Sequence, residues 1–152
     1  MKRIFAVLAV AAAAAGGFAT YQFAGATPAS AKTAEVWKAE SCGCCGSWVT
    51  YMEEHGYKVT VHVVDDVDPL KDKLGIPEQA RSCHTSKIGG LVVEGHVPVE
   101  AIDKVLAEHP KRVAGIAAPG MPSGSPGMDV DTKPFPVVTF GDGKVQMLGM
   151  YN

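Results

Sequence analysis

The sequence predicts an α/β domain of alternating strands and helices, followed by a long Gly/Pro/Met loop and an added C-terminal β-hairpin. Short segments in which apolar residues recur at period two alternate along the chain with segments in which they recur at helical spacing. The 152 residues suffice for one domain and are too few for two of ordinary size. With 17 glycines and 10 prolines, this single domain should be rich in turns.

The first 31 residues have the pattern of a secretory signal peptide. A basic start at Lys2-Arg3 precedes an apolar run rich in Ala and Val. Ala29-Ser30-Ala31 then matches the small-x-small pattern after which signal peptidase cuts. We therefore expect cleavage after Ala31 and an exported, periplasmic domain of residues 32–152.

Residues 4–23 also admit a second interpretation, as an uncleaved membrane anchor, because the stretch is nearly long enough to span a bilayer. Its glycines and its polar Thr20 and Gln22 argue against this. In either case the domain is exported. Without Lys2 and Arg3 the chain has 12 basic and 16 acidic residues, a formal charge of −4, which argues against nucleic-acid binding.

The first strand is predicted at residues 34–39, where apolar and polar residues alternate loosely. A helix follows from Ser47, with apolar residues at helical spacing and with His55-Gly56 at its C-terminal end. The cysteines at residues 42–45 should therefore lie at or just before a helix N-terminus.

A strand, a short helix and another strand are predicted next, at residues 58–64, 68–74 and 88–94. Asp68-Pro69 is a strong helix-start signal. Gly89-Gly90 leaves the start of the last strand ambiguous between a hairpin turn and a bulge. Pro98 then begins a third helix, which His109-Pro110 ends.

The segment from Val113 to Lys133 contains seven glycines and prolines between residues 115 and 127, so we expect no regular element in it. A loop of this length is functional or disordered. It carries Met121 and Met128. Residues 135–140 and 144–148 then read as two strands of a hairpin.

Three of the four cysteines stand in Cys42-Gly43-Cys44-Cys45, and the fourth, Cys83, precedes His84. So dense a cluster points to chemistry of the sulfur atoms, either redox exchange or metal binding. Cys42 and Cys45 form a C-x-x-C pair at a helix start, where the helix dipole stabilises thiolates. A C-x-x-C between a strand and a helix is typical of thioredoxin-like redox sites. One interpretation is therefore a thiol-disulfide oxidoreductase with Cys42 as nucleophile and Cys45 as resolving thiol.

Cys44 favours metal binding instead. A third thiol beside the pair would promote scrambled disulfides, whereas several thiolates on one loop can bridge more than one soft metal ion. Met121 and Met128 add thioethers, which bind Cu(I) well and zinc poorly. We therefore predict Cu(I) binding. A zinc-stabilised interaction module, with four cysteines or three plus His84 as ligands, is the alternative, although zinc sites usually have two C-x-x-C halves.

Two histidines are further candidate ligands. His84 adjoins Cys83, and His96 precedes the helix at Pro98, whose N-terminus favours the neutral, metal-binding imidazole. The full set of candidate metal ligands is Cys42, Cys44, Cys45, Cys83, His84, His96, Met121 and Met128. The two methionines could instead be hydrophobic residues that pin the loop to the domain.

Four motifs occur in the order Cys42-Gly43-Cys44-Cys45-Gly46, Ser82-Cys83-His84-Thr85, Val93-Glu94-Gly95-His96-Val97-Pro98 and Gly120-Met121-Pro122-Ser123-Gly124-Ser125-Pro126-Gly127-Met128. Together they resemble the motifs of the CopG-like proteins. These are exported bacterial proteins associated with copper resistance and metal handling, long grouped as a domain of unknown function. The resemblance covers essentially the whole mature chain.

The resemblance implies a thioredoxin-like fold in which the CxCC loop and Cys83 converge on a copper site. By this likeness Cys42, Cys44, Cys45 and Cys83 are the thiolate ligands, and the cluster could hold several Cu(I) ions. The segment entering the third strand would bring Cys83 and His84 beside the C-x-x-C. Thr85 or a neighbour replaces the proline usual at this crossing, which argues against ordinary disulfide exchange.

These observations lead us to expect an exported Cu(I)-binding protein of copper resistance or homeostasis, which sequesters or relays copper and could couple it to thiol redox change. The expected partners are copper ions and other exported copper-handling proteins. No nucleic acid is expected, and a membrane only if residues 4–23 remain uncleaved. The chain reads more as a metal-binding protein than as an enzyme.

Overall fold

The structure is a computed structural model that describes residues 32–128 and 130–152. The predicted signal peptide at residues 1–31, and with it the alternative anchor, lies outside the described residues. None of the helices that are described is long and apolar enough to cross a membrane.

Strands account for most of the regular structure in these parts of the chain. They are β1 (Lys32–Lys38), β2 (Tyr57–Val63), β3 (Thr85–Ile88), β4 (Leu91–Glu94), β5 (Gly115–Ala117), β6 (Phe135–Gly141) and β7 (Lys144–Tyr151). The helices are α1 (Gly43–Glu54), α2 (Asp68–Lys73) and α3 (Val99–Glu108), and a 3₁₀ turn spans Glu78–Ala80.

All seven strands form one sheet in the order β2-β1-β3-β4-β5-β6-β7. The pairs β1–β2 and β4–β5 are parallel, and the other neighbours are antiparallel. The predicted mixed α/β class and the predicted C-terminal hairpin, β6–β7, are confirmed. The hairpin extends the same sheet through β5.

The two faces of the sheet bury separate apolar clusters. Trp48 and Met52 of α1 and Ile102 of α3 pack with one set of strand residues, which includes Val93. The neighbouring Val92 belongs to a smaller cluster on the opposite face, as the alternation of side chains along a strand requires. Burying a side chain such as Ile102 contributes about 1.5–3 kcal/mol to folding.

The prediction of no regular element at residues 113–133 is wrong for Gly115–Ala117, which form β5. Glycine weakens a strand but is required where another group approaches its backbone closely. A Cβ atom at Gly115 would lie 2.2 Å from the Cζ atom of Phe140. Glycine at position 115 therefore allows close packing against β6 and does not interrupt the strand.

Residues 88–94 form two strands instead of the single strand predicted. Gly89 and Gly90 have φ angles of 55° and 85°, the two positive values that a tight type I′ hairpin turn requires. Of the two options that the sequence left open, the hairpin turn is the one observed, and it joins β3 to β4.

Candidate metal centre

The candidate ligand segments all leave the sheet at one edge. The C-terminal end of β1 lies beside the N-terminal end of β3, since Trp37 pairs with Thr85. Thr85 also pairs with Glu94 at the C-terminal end of β4, and β5 runs parallel to β4. The CxCC loop, the Cys83-His84 segment, His96 and the methionine-bearing loop therefore meet, although they are far apart in sequence.

The start of α1 positions three of the cysteines. The helix begins at Gly43, earlier than the predicted Ser47, so Cys42 is its N-cap residue and Cys44 and Cys45 lie in its first turn. The first N–H groups of a helix lack intrahelical acceptors, and they favour negative charge nearby. The expectation that the cysteines lie at a helix N-terminus is confirmed.

Cys83 lies in the segment just before β3, and its sulfur atom approaches those of the other three cysteines. Its Sγ atom is 3.5 Å from Cys45 Sγ, and Cys42 Sγ is 3.7 Å from Cys44 Sγ. All four sulfur atoms lie within 4.8 Å of one another. This is the convergence that the family resemblance implies.

A disulfide joins Cys42 to Cys45, while Cys44 and Cys83 are free thiols. The structure is thus that of the oxidised C-x-x-C. Each disulfide sulfur has a free cysteine sulfur next to it, so thiol-disulfide exchange is within reach once either thiol ionises. Only reduction of the disulfide makes all four sulfurs available as thiolate ligands.

The free thiol of Cys83 is hard to ionise. Burial, followed by the nearby Cys44 thiol, raises the pKa of Cys83 to about 11. At neutral pH the metal-free site therefore holds Cys83 as a thiol. A metal ion that binds there must displace the proton, so binding should release protons and weaken in acid.

The ring of His96 is oriented by a hydrogen bond from its Nδ1 atom to the backbone of Pro126. Nδ1 lies 2.7 Å from the carbonyl oxygen of Pro126, which can only accept, so Nδ1 carries the proton and donates it. Nε2 then presents its lone pair 3.2 Å from Cys83 Sγ. Metal-binding histidines are commonly held in this way by a backbone carbonyl.

His84 is fully buried beside the same sulfur. Its Nδ1 is 3.5 Å from Cys83 Sγ, and its ring packs against those of Trp48 and His96. Burial, then electrostatic interactions with His96 and Lys71, hold the pKa of His84 well below its usual range, so the ring is neutral. Among the described residues its buried Nε2 has no hydrogen-bond partner. Together with Cys45, Cys83 and His96, His84 forms a second group with metal-binding spacing.

A protein-family model described as a protein of unknown function, DUF411, matches residues 80–128. Two solved structures of a copper resistance protein, CopG, also resemble the chain, each with 39% sequence identity. Form 2 has a TM-score of 0.73, with 80% of this chain and 98% of that chain covered. Form 1 has a TM-score of 0.72, with 78% and 96% covered.

The chain belongs to the CopG-like DUF411 family. The identity holds over nearly the whole length of the CopG chains, so the suspected resemblance is confirmed. The region matched by the family model runs from the 3₁₀ turn to Met128 and includes the Cys83-His84 segment and His96. No curated protein matches the chain.

Within this family region, residues 120–128, here called the methionine loop, contact each ligand-bearing segment. The N–H of Gly120 donates to the Arg81 carbonyl. Pro126 accepts from His96, and Gly127 lies against the backbone of Trp48 in α1.

The two methionines themselves differ in environment. Met121 is 60% exposed, and Met128 is half-buried. Ligation of a metal by either side chain remains a prediction.

Sequence reasoning missed one group next to the site, a buried ion pair of Lys71 and Glu94. Glu94 ends the otherwise apolar strand Leu91-Val92-Val93-Glu94, and a lone carboxylate in such a strand was a usable signal. Lys71 gave no signal, because a lysine in a short helix is usually exposed.

Proposed function

We propose that this chain is an exported Cu(I)-binding protein that sequesters or relays copper. The observation that carries the proposal is the approach of four cysteine sulfurs to within 4.8 Å of one another. In the reduced protein, Cys42, Cys44, Cys45 and Cys83 would hold the ion as thiolates, with His84 and His96 at the buried end of the site. The 39% identity to a copper resistance protein over nearly its whole length supports this.

The donor chemistry favours Cu(I) among the metals that accept sulfur. Soft thiolates and thioethers select Cu(I), zinc or iron-sulfur clusters, and thioethers add preference for Cu(I) over zinc. Sulfur atoms this close can each bridge two ions, which supports a cluster of several Cu(I) ions. Four thiolates would also accept one tetrahedral zinc ion, so the zinc-stabilised module remains the competing metal hypothesis.

The arrangement of the first four strands supports a thioredoxin-like core for this function. Their order is β2-β1-β3-β4, with β1 and β2 parallel and with β3 antiparallel to both its neighbours. The C-x-x-C lies where β1 passes into α1. In this proposal β5, β6 and β7 are additions that carry the methionine loop to the site.

Anaerobic titration of the reduced full chain with Cu(I), against a chromophoric Cu(I) chelator, tests the function. We expect uptake of at least one equivalent and ultraviolet absorption typical of thiolate-to-metal charge transfer. Cys44→Ser should lower the stoichiometry and the affinity sharply, because it removes a bridging sulfur. His55→Ala, on the exposed end of α1, is the matched control and should bind like wild type. Uptake of less than one equivalent would reject the proposal.

The Cys42–Cys45 disulfide favours thiol-disulfide oxidoreductase activity as a second candidate. In this case a substrate disulfide would be reduced to two thiols while Cys42 and Cys45 are oxidised to their disulfide. Cys44→Ser separates the two functions, since a C-x-x-C reductase should keep or improve its rate without the extra thiol. Turnover of a disulfide substrate by this variant, with little Cu(I) uptake by wild type, would favour the oxidoreductase.

Export is the remaining part of the proposal and rests on the sequence of residues 1–31. N-terminal sequencing of the protein recovered from a cell-envelope fraction should begin at Lys32. Recovery of the intact N-terminus in the membrane fraction would favour the anchor interpretation.

A further inference from the structure

A buried ion pair lies next to the segment that carries the candidate ligands Cys83 and His84. Lys71 Nζ is 2.5 Å from Glu94 Oε1, and the two side chains are only 3% and 0% exposed. Removing two charges from water is unfavourable, and well-packed apolar residues often replace such a pair without loss of stability. Net stability is therefore a weak explanation for these two residues.

The Glu94 carboxylate binds both ends of the segment that carries Cys83 and His84. Its Oε1 atom accepts the backbone N–H of Ser82 at 2.7 Å. Its Oε2 atom accepts the Thr85 hydroxyl at 2.6 Å. One carboxylate thus binds both the residue before Cys83 and the residue after His84. Lys71 Nζ also donates to Thr85 Oγ1, at 3.2 Å.

The same strand end sets the position of His96. The N–H of Gly95 donates to the His84 carbonyl at 2.9 Å. A Cβ atom on Gly95 would lie 2.3 Å from Ser82 Oγ, so only glycine allows this approach. His96 follows at once, and its Nε2 meets Cys83 Sγ. The relative placement of Cys83, His84 and His96 therefore depends on the bonds made by Glu94 and its neighbour.

We infer that Glu94 is a positioning residue that holds Cys83 and His84 in the metal-binding arrangement, with Lys71 as its counter-ion. The inference rests on the proposed Cu(I) function. We call the hydrogen bonds that Glu94 accepts from Ser82 and Thr85 the clamp. Because Lys71 neutralises the Glu94 carboxylate, the clamp adds no net negative charge beside a cluster of thiolates. Neither residue is itself a ligand in this scheme; each acts through the Ser82–Thr85 segment.

Two double variants of the full chain separate positioning from mere charge burial. Both Lys71→Met/Glu94→Gln and Lys71→Met/Glu94→Leu remove the buried charges. Glutamine keeps an oxygen that can accept the Ser82 N–H, whereas leucine keeps none. Residues that orient metal ligands typically change affinity by about 10–100-fold when they are replaced. We therefore expect the leucine variant to bind Cu(I) about tenfold or more weakly than wild type and the glutamine variant to recover most of that loss.

Chelator competition under anaerobic, reducing conditions measures the Cu(I) affinity, and thermal unfolding of the metal-free proteins measures stability. A purely structural pair would lower stability in both variants without separating their affinities. Wild-type affinity in the leucine variant would overturn the inference. If that variant does not fold, Thr85→Val tests the inference instead, because it removes the hydrogen bond from Thr85 to Glu94 and removes no charge. Unchanged Cu(I) affinity in Thr85→Val would equally overturn the inference.

Backbone amide exchange in the metal-free protein provides a readout that needs no copper. The Ser82 amide should exchange faster in the leucine variant than in wild type, while amides in the middle of α3 should be unaffected. If wild type takes up no Cu(I), the proposed function fails but exchange still tests the clamp. Unchanged protection at Ser82 would then reject the inference by itself.

Discussion

Cys83 lies in a partly buried environment that, on balance, disfavours its thiolate. It lies among Cys44, Cys45, His84 and His96, and burial is the main cause of its raised pKa. Such a thiol is a poor nucleophile at neutral pH and becomes a strong ligand only when a metal replaces its proton. At the residue scale, this environment fits metal capture better than disulfide exchange.

The stability of the metal-free protein should therefore depend on pH through Cys83. Its pKa rises from 9.0 in the unfolded chain to about 11 in the fold, so between these values the native state binds more protons than the unfolded state. Stability should fall as pH rises through this range. Chemical denaturation at several pH values measures this fall, and Cys83→Ser, which cannot titrate there, should show a shallower one. Equal slopes for both proteins would contradict the assignment.

The methionine loop is the element that connects the ligand segments from outside the sheet. It contacts Arg81, which precedes Ser82, and it contacts His96. Its backbone also approaches α1 closely at Gly127. Because Gly127 has φ 79°, it also adopts a conformation that other residues rarely tolerate. The loop therefore depends on Gly127 both for its backbone conformation and for its close packing against α1.

Replacing Gly127 by alanine should displace the loop from α1. A Cβ atom there would lie 2.5 Å from the Trp48 backbone nitrogen, and overpacking of this kind costs about 1–3 kcal/mol. Gly143→Ala is the matched control, since Gly143 has φ 71° but open space around it. Chemical denaturation should show Gly127→Ala to be clearly less stable than Gly143→Ala. Equal stabilities would mean that the loop yields without cost.

The methionines of the same loop can be tested as ligands or as packing residues. If both bind copper, Met121→Leu/Met128→Leu should weaken Cu(I) affinity and leave the thermal stability of the metal-free protein nearly unchanged, because leucine conserves volume. Met147→Leu/Met150→Leu, on the exposed strand β7, is the control and should change neither. Loss of metal-free stability without loss of affinity would identify the loop methionines as packing residues.

At the scale of the whole molecule, one sheet edge brings the Cys42–Cys45 disulfide together with the candidate metal ligands. The Cys42–Cys45 disulfide occupies two of the four sulfurs, and reduction by two electrons and two protons frees both as thiols. The redox state of the domain should therefore set its copper capacity.

Oxidised full chain should bind fewer Cu(I) equivalents than reduced full chain, since a disulfide supplies no thiolate. Anaerobic titration of the two forms, each checked by thiol counting, measures the difference. In the control variant Cys42→Ser/Cys45→Ser, prior oxidation should make no difference to uptake as long as thiol counting shows that Cys44 and Cys83 remain free thiols. Equal capacities in oxidised and reduced wild type would show that Cys42 and Cys45 are not required.

Local pattern predicted the mixed α/β class, the C-terminal hairpin and a helix whose N-terminus holds the cysteines. It failed at Gly115, whose close packing against Phe140 is not visible without the neighbouring strand. At Gly89-Gly90 it left a hairpin turn and a bulge open, and pairing of β3 with β4 decided for the turn. Cys44 and Cys83 were identified as candidate ligands from residue type and spacing alone.

The sequence by itself determined the candidate metal donors of this protein, since thiolates, imidazoles and thioethers are fixed by residue type. Only the tertiary structure decided which donors meet. Cys45 and Cys83 are 38 positions apart in sequence and 3.5 Å apart in space, because β3 runs antiparallel to β1 and starts where β1 ends. The Lys71–Glu94 pair emerged at the same level, since burial of two charges arises only when the strands and α2 are packed together.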